Sequence, residues 1–286
     1  MITGKTKLLG VIGAPIGHSL SPIIQNAALR AAGLDYVYTA LPVHPDVLNS
    51  AVRGLRDAGY RGLNVTIPFK TEIIPLMNAL SEDARRIGAV NTVIMQEDGT
   101  MVGHNTDVTG FLAGFAERGI SIEGKHAVLI GAGGAARAAL WGLLRSHVTS
   151  VTIGVRTAAK GAALTADFAA DGAIEAYAFD DPAFACSLAA ADIVVQTTPL
   201  GMTPHADAMP PVDMAALKDD AVLYDLIYTP AATRFLQEGA ARGLHTINGE
   251  TMLVAQGAEA FRLWTGITPD LELMKCVLRE ELSRRE

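Results

Sequence analysis

The run Val128-Leu129-Ile130-Gly131-Ala132-Gly133-Gly134-Ala135-Ala136-Arg137 reads as an apolar strand, a glycine turn and the start of an alanine-rich helix. Gly131 permits the tight turn, Gly133 lets the backbone approach a pyrophosphate, and the small Ala136 allows close helix–strand packing. Amides left free at the helix N-terminus would then face the phosphates. A glycine pattern alone is a weak signal, since it also serves purely structural turns. Its place between strand and helix favours a nucleotide cradle. The following strand ends Gly154-Val155-Arg156-Thr157, with Lys160 one turn on. A site selecting NAD carries an acidic residue near this point for the ribose hydroxyls. Here Arg156 offers a planar fork, Thr157 a hydroxyl and Lys160 a second positive charge, a set that suits a 2′-phosphate and favours NADP. The blander alternative is a solvated basic helix start.

A second group of polar residues precedes this loop. In Ser19-Leu20-Ser21-Pro22, Pro22 suits the first position of a helix and Ser21 its cap. Capping needs one serine, and two beside free helix amides also make a site for a small carboxylate. Asn64-Val65-Thr66-Ile67-Pro68-Phe69-Lys70 leaves the C-terminal end of a strand, where ligand sites of α/β proteins collect. Lys70 alone reads equally as a surface lysine, and Asp107, in Asn105-Thr106-Asp107, as an ordinary helix cap. Asn91-Thr92 opens another strand. Amides, hydroxyls, one lysine and one aspartate thus recur at element ends, without spacing alone bringing them together.

The elements that would carry these residues alternate between strand-like and helical runs, the pattern of an α/β fold with a largely parallel sheet. The first half reads as strand Lys7–Gly13, helix Pro22–Ala32, strand Tyr36–Leu41, helix Pro45–Ala58 and strand Leu63–Ile67. Helical segments are expected from about Phe69 to Ile87, then strands Val90–Met95 and Thr100–Val102 joined through Asp98-Gly99. A second series follows: strand Ala127–Ile130, helix Gly133–Leu144 and strand Ser150–Val155, then strands Ile193–Gln196, Val222–Leu226 and Leu244–Thr246. The alanine-rich Ala158–Ala191 reads as mostly helical, as does the tail from Gly249, interrupted at Thr265–Pro269. A helix near Asp107–Glu117 would join two domains packed about a cleft.

Composition narrows the function classes. Of 286 residues, 50% are hydrophobic and 19% charged, enough for sizeable cores and against intrinsic disorder. A net charge of −7 gives no electrostatic footprint for nucleic acid or an anionic membrane. The uncharged stretch Leu8–Leu29 follows Lys5 and Lys7 like a leader, but Pro15, His18, Ser19, Gln25 and Asn26 would be costly in hydrocarbon. A cytoplasmic location is expected. Cys186 and Cys276 form no disulfide framework, and neither they nor the scattered histidines indicate a metal site.

Taken together, the chain resembles the shikimate dehydrogenase family. The resemblance is carried by Pro15–Pro22, Asn64–Lys70, Gly88-Ala89-Val90-Asn91-Thr92, Gly103-His104-Asn105-Thr106-Asp107 and Gly131–Ala135, continuing through Thr198-Pro199-Leu200-Gly201-Met202, Asp225-Leu226-Ile227-Tyr228 and Gly249–Gly266. These stretches occur in family order along nearly the whole chain. The resemblance implies reversible NADP-linked reduction of 3-dehydroshikimate to shikimate in aromatic amino-acid biosynthesis, by a monomer or homodimer. It implies a substrate domain from 1–106 with 250–286, and a Rossmann-like doubly wound NADP domain from 107–249, the C-terminal helices packing back on the first. It assigns Lys70 and Asp107 as the catalytic pair, and Ser19 and Ser21 to the substrate carboxylate. Thr66, Asn91 and Gln256, with Tyr228 nearby, would contact the ring hydroxyls. Gly131, Ala132, Gly133, Gly134 and Ala135 would take the pyrophosphate, and Arg156, Thr157 and Lys160 the 2′-phosphate. Leu226 and Gly249 would lie near the nicotinamide, and Glu82 near the cofactor.

Three positions depart from the family pattern: Gln25 for a histidine, Val155 for the asparagine before Arg156-Thr157, and Gln196 for the asparagine opening the Thr-Pro-Leu-Gly-Met stretch. The last two bear on cofactor affinity and NADP preference. The nearest rival function is a quinate/shikimate dehydrogenase with broader cofactor use. A ligand sensor on the same fold would lack Lys70 or Asp107 or carry an added DNA-binding segment, and both residues are present.

Overall fold

The computed structural model describes residues 2–285, which divide into two compact units. The first runs up to Gly110 and resumes at Val254, and the second is Phe111–Leu253. No helix among the described residues is long and apolar enough to cross a membrane.

The first unit contains β1 (Lys7–Gly13), α1 (Ser21–Ala31), β2 (Tyr36–Pro42), α2 (Leu48–Asp57), β3 (Tyr60–Val65), β4 (Ala79–Leu80), α3 (Glu82–Ile87), β5 (Thr92–Met95), β6 (Met101–His104) and the start of α4 (Asp107–Glu117). Its six strands form one sheet in the order β2-β1-β3-β5-β6-β4. β1 pairs parallel with β2 and β3, whereas β5 is antiparallel to both β3 and β6. Apolar side chains from β1, β3 and β5, among them Ile12, Leu63, Val65 and Val93, are fully or almost fully buried with Phe69 and Ile73.

The second unit contains β7 (His126–Ile130), α5 (Gly134–Arg145), β8 (Ser150–Val155), α6 (Ala158–Phe168), β9 (Ile174–Ala178), α7 (Pro182–Ala190), β10 (Ile193–Gln196), β11 (Val222–Asp225), α8 (Arg234–Ala241) and β12 (His245–Ile247). Its sheet has the order β12-β11-β10-β7-β8-β9, and every neighbouring pair is parallel. That is the doubly wound α/β arrangement, which buries both sheet faces and explains the unbroken apolar runs of β7 and β10. The chain then enters α9 (Glu250–Thr265) and α10 (Leu271–Arg285), the latter packing on α1 within the first unit.

Two expected helical regions differ. Between Phe69 and Ile87 only a single 3-10 turn at Ile74–Leu76 precedes α3. Pro75 removes a backbone donor there. The Asn78 and Ser81 amides are instead drawn to the carbonyls of Met101 and Gly103, making β4 an edge strand on β6. The alanine-rich stretch is interrupted by β9, paired with β8, and helix formation restarts at Asp181, whose carboxylate accepts from the Ala183 amide at 2.9 Å.

Candidate functional site

In the first unit, sheet ends converge on a polar cluster. β3 delivers Asn64 and, just past its end, Thr66. The buried Phe69 anchors the following turn, and the Lys70 carbonyl accepts from the Val90 amide at 2.7 Å. Because β6 runs antiparallel to β5, with Thr92 opposite His104, the chain after β6 returns Thr106 and Asp107 to Asn91.

Lys70 Nζ lies 2.5 Å from Asp107 Oδ2, with the lysine side chain 25% and the aspartate 9% exposed. The other carboxylate oxygen, Oδ1, accepts from Asn91 Nδ2 at 2.8 Å. Asn91 is itself buried: its Oδ1 accepts from the Thr106 amide at 2.8 Å and from Thr92 Oγ1 at 3.0 Å. Its Nδ2 also approaches Gln256 Oε1 on α9 at 3.5 Å. Lysine, aspartate, asparagine and glutamine, scattered over 187 positions of sequence, are thereby brought into one cluster. An ammonium held on a carboxylate, half-open to solvent, can deliver or take up a proton at a bound oxygen.

Ser19 and Ser21 stand at the N-terminus of α1, but the capping differs from expectation. The helix starts at Ser21 and has no side-chain cap, while the Ser21 amide donates to Ser19 Oγ at 3.3 Å. The buried Gln25 donates to the Gly257 carbonyl at 2.8 Å, tying α1 to α9 one residue from Gln256. Glu82 is exposed at the start of α3, after the capping Ser81.

In the second unit, Gly131 adopts φ +110°, and its amide donates to the Gly154 carbonyl at 2.9 Å. A Cβ there would lie 2.7 Å from Thr197 Oγ1, so the turn requires glycine on both backbone and steric grounds. Ala132 is half-buried, Gly133 and Gly134 are exposed, and α5 begins at Gly134 with Ala135 in its first turn. Nothing crowds Gly133, which leaves bare backbone and the helix amides facing outward. Pairing of Ile130 with Gly154 sets Arg156 beside this loop, and Arg156, Thr157 and Lys160 are all exposed. Val155 turns inward, buried with Leu164 and Phe168, so it contributes packing rather than a polar contact. These donors fit a phosphorylated dinucleotide: backbone and helix amides for the pyrophosphate, guanidinium and ammonium for the additional phosphate.

Gln196, fully buried, uses its whole amide locally. Its Nε2 donates to the Leu200 carbonyl at 3.0 Å, and its Oε1 accepts from the Thr198 amide and hydroxyl, each at 3.0 Å. The longer side chain at this position thus clamps the loop that presses on Gly131. The Leu226 amide donates to the Gln196 carbonyl, and Gly249 packs so closely on Leu226 that a Cβ would overlap its carbonyl. Leu226 and Gly249 are therefore neighbours. Tyr228 is half-buried on the same loop. That loop is pinned by Asp225, a fully buried carboxyl accepting from Thr233 Oγ1 at 2.7 Å and the Ile227 amide at 3.0 Å. Burial pushes Asp225 up to about 6, against the lowering effect of those two donors. Sequence reading did not single out Asp225, Tyr38, Asn64 or Thr92 individually. A polar residue inside a strand carries no local signal that it is satisfied by distant partners.

Comparison with known proteins identifies the family. Residues 11–93 match the shikimate dehydrogenase substrate binding domain, 115–203 the shikimate/quinate 5-dehydrogenase domain, and 249–279 the shikimate 5′-dehydrogenase C-terminal domain. A shikimate dehydrogenase (NADP(+)) of Carboxydothermus hydrogenoformans is 42% identical over 96% of this chain and 97% of its own length. A crystal structure of a shikimate dehydrogenase in complex with NADP+ is 39% identical, with a TM-score of 0.90 over 99% of this chain and 98% of its own. The shikimate 5-dehydrogenase of Listeria monocytogenes, solved with shikimate and NAD, is 34% identical, with a TM-score of 0.92 over 97% of this chain and 98% of its own. With identities of 34–42% over nearly the whole of each chain, and three family domains matched in order along the sequence, the chain belongs to the shikimate dehydrogenase family.

Proposed function

We propose that the protein catalyses the reversible, NADP-dependent reduction of 3-dehydroshikimate to shikimate. The observation that carries this reading is the Lys70–Asp107 pair, held by Asn91 and open on the lysine side. The relatives named above supply the substrate. NADPH, when bound, supplies the hydride that reaches the carbonyl carbon. Negative charge then grows on the carbonyl oxygen, and Lys70 Nζ places a proton there; in oxidation the same amine takes the proton from the hydroxyl. Asp107 holds the ammonium at 2.5 Å and limits its positions.

Ser19 and Ser21 hold the ring carboxylate at the α1 terminus, and Thr66, Asn91, Gln256 and Tyr228 contact the hydroxyls. Gly131–Ala135 take the pyrophosphate and Arg156, Thr157 and Lys160 the 2′-phosphate, with Leu226 and Gly249 at the nicotinamide and Glu82 at the cofactor's edge. The protein acts in the cytoplasm as a monomer or homodimer. The test is reduced-nicotinamide formation with shikimate and with quinate, each against NADP and NAD. Fast turnover confined to shikimate with NADP is expected, and comparable rates with quinate or NAD would overturn the assignment. Lys70→Ala should lower kcat by about 10²–10⁴-fold while KM for shikimate changes far less.

A further inference from the structure

Behind Asp107 a chain of hydrogen bonds runs one way from Tyr38, with the Thr106 hydroxyl as a side branch within reach of Asn91 and Thr92. Tyr38, on β2, donates its phenol to Asn64 Oδ1 at 2.7 Å. Asn64 Nδ2 donates to Thr92 Oγ1 at 3.0 Å and to the Asn91 carbonyl at 3.2 Å. Thr92 Oγ1 donates to Asn91 Oδ1 at 3.0 Å, and Asn91 Nδ2 donates to Asp107 Oδ1 at 2.8 Å. The direction is forced by the backbone. The Asn91 carbonyl can only accept, which fixes the Asn64 amide with nitrogen toward it and oxygen toward Tyr38. The Thr106 amide can only donate, which fixes Asn91 with its oxygen toward Thr106 and its nitrogen toward Asp107. Thr92, already accepting from Asn64, has its proton for Asn91 Oδ1 at 3.0 Å, closer than the Thr106 hydroxyl at 3.3 Å. Every side chain in the chain is buried, Tyr38 at 2% exposure, so a partner removed from it leaves a desolvated polar group. Burial raises the phenol far above its ordinary range, against a smaller lowering effect from the Ser21 side chain, and it remains a donor.

We propose that Tyr38, Asn64 and Thr92 are positioning residues, a one-way donor chain that locks Asn91 and through it aims the Asp107 carboxylate at Lys70. Each group that accepts from behind is a better donor ahead, and the chain ends on the only ionised acceptor along it. None of the three touches the lysine. This role rests on the dehydrogenase reading above.

The test uses Tyr38→Phe, Thr92→Val and Thr92→Ser in the full-length protein, assayed with shikimate and NADP. Thr92→Val keeps the shape and breaks the chain in its middle, and Thr92→Ser restores the hydroxyl. Expected are losses in kcat of about tenfold for Thr92→Val and about threefold for Tyr38→Phe, with recovery to within about twofold in Thr92→Ser. The solvent deuterium isotope effect on kcat should rise in the first two, because a misaimed pair makes proton transfer more rate-limiting. An isotope effect is a ratio, unmoved when some molecules merely fail to fold. An isotope effect equal to that of the parent protein in Tyr38→Phe and Thr92→Val, whether kcat holds or falls with thermal stability, overturns the proposal. Absence of shikimate turnover in the parent protein would instead overturn the dehydrogenase reading, before any variant is compared.

Discussion

Asp225 offers a stability measurement with a defined sign. Its carboxyl is fully buried at the end of β11, and burial raises it from 3.8 to about 6 although two donors hold it. In the unfolded chain the same group titrates near the ordinary aspartate value. Below that value both states are protonated and folding is not penalised. As pH rises from about 4 through about 6, the unfolded state loses its proton first, and stability falls. Two pKa units correspond to roughly 3 kcal/mol, a large part of a typical folding free energy of about 5–15 kcal/mol. Asp225→Asn keeps the size and an acceptor for the Ile227 amide but cannot ionise. Urea denaturation of both proteins at matched pH values, with one stability subtracted from the other, cancels every other titrating group. The parent protein should lose up to about 3 kcal/mol relative to Asp225→Asn between pH 4 and pH 7. A difference that stays flat across that window would refute the reasoning, because the carboxyl would then titrate alike in both states.

Other perturbations have equally direct outcomes. Tyr224 is fully buried, stacked on Phe111 at 5.2 Å, and its hydroxyl has no hydrogen-bond partner among the described residues. Tyr224→Phe should therefore raise stability by about 1 kcal/mol, seen as a higher Tm, because no bond is lost and a desolvated hydroxyl is removed. Arg156→Ala should raise KM for NADP by about 10–100-fold while leaving that for NAD nearly unchanged, since only NADP presents the extra phosphate. Gly249→Ala places a methyl on the Leu226 carbonyl and should cost at least about 1–3 kcal/mol in thermal unfolding, with weaker NADP binding in a fluorescence titration.

Legibility in the sequence followed how local each signal was. β7, the glycine turn and α5 lie within one continuous stretch, and their apolar run, φ-demanding glycine and small helix residues all appear in order. β9 escaped notice because five residues between two alanine-rich helices take their strand character from pairing with β8, not from their own pattern. Around Phe69–Ile87 the proline and the reach of two amides to β6 overrode helical periodicity. In the site, Lys70 and Asp107 were ambiguous one at a time, and only family resemblance paired them before the 2.5 Å contact was seen. Tyr38 was invisible, because an aromatic in a strand looks like core until its hydroxyl finds Asn64 across the sheet. Gln196 stands out in the sequence only as a departure from the family asparagine, and nothing local shows that its amide closes three hydrogen bonds there.

The interrupted first unit has a consequence for how the chain is made. α1 presents Ile24, Ala27, Ala28 and Leu29 as buried residues, and α10, whose Met274 and Leu278 are buried, is the helix that packs on it. α10 leaves the ribosome about 240 residues after α1, which at about 5–20 residues per second is a delay of tens of seconds. During that interval the second unit, contiguous from Phe111 to Leu253, can complete its fold while α1 still lacks a cover. Nascent-chain binding by chaperones should accordingly concentrate on the earliest-made segment, and a stop codon placed after α9 should leave a protein whose middle is sound and whose beginning aggregates.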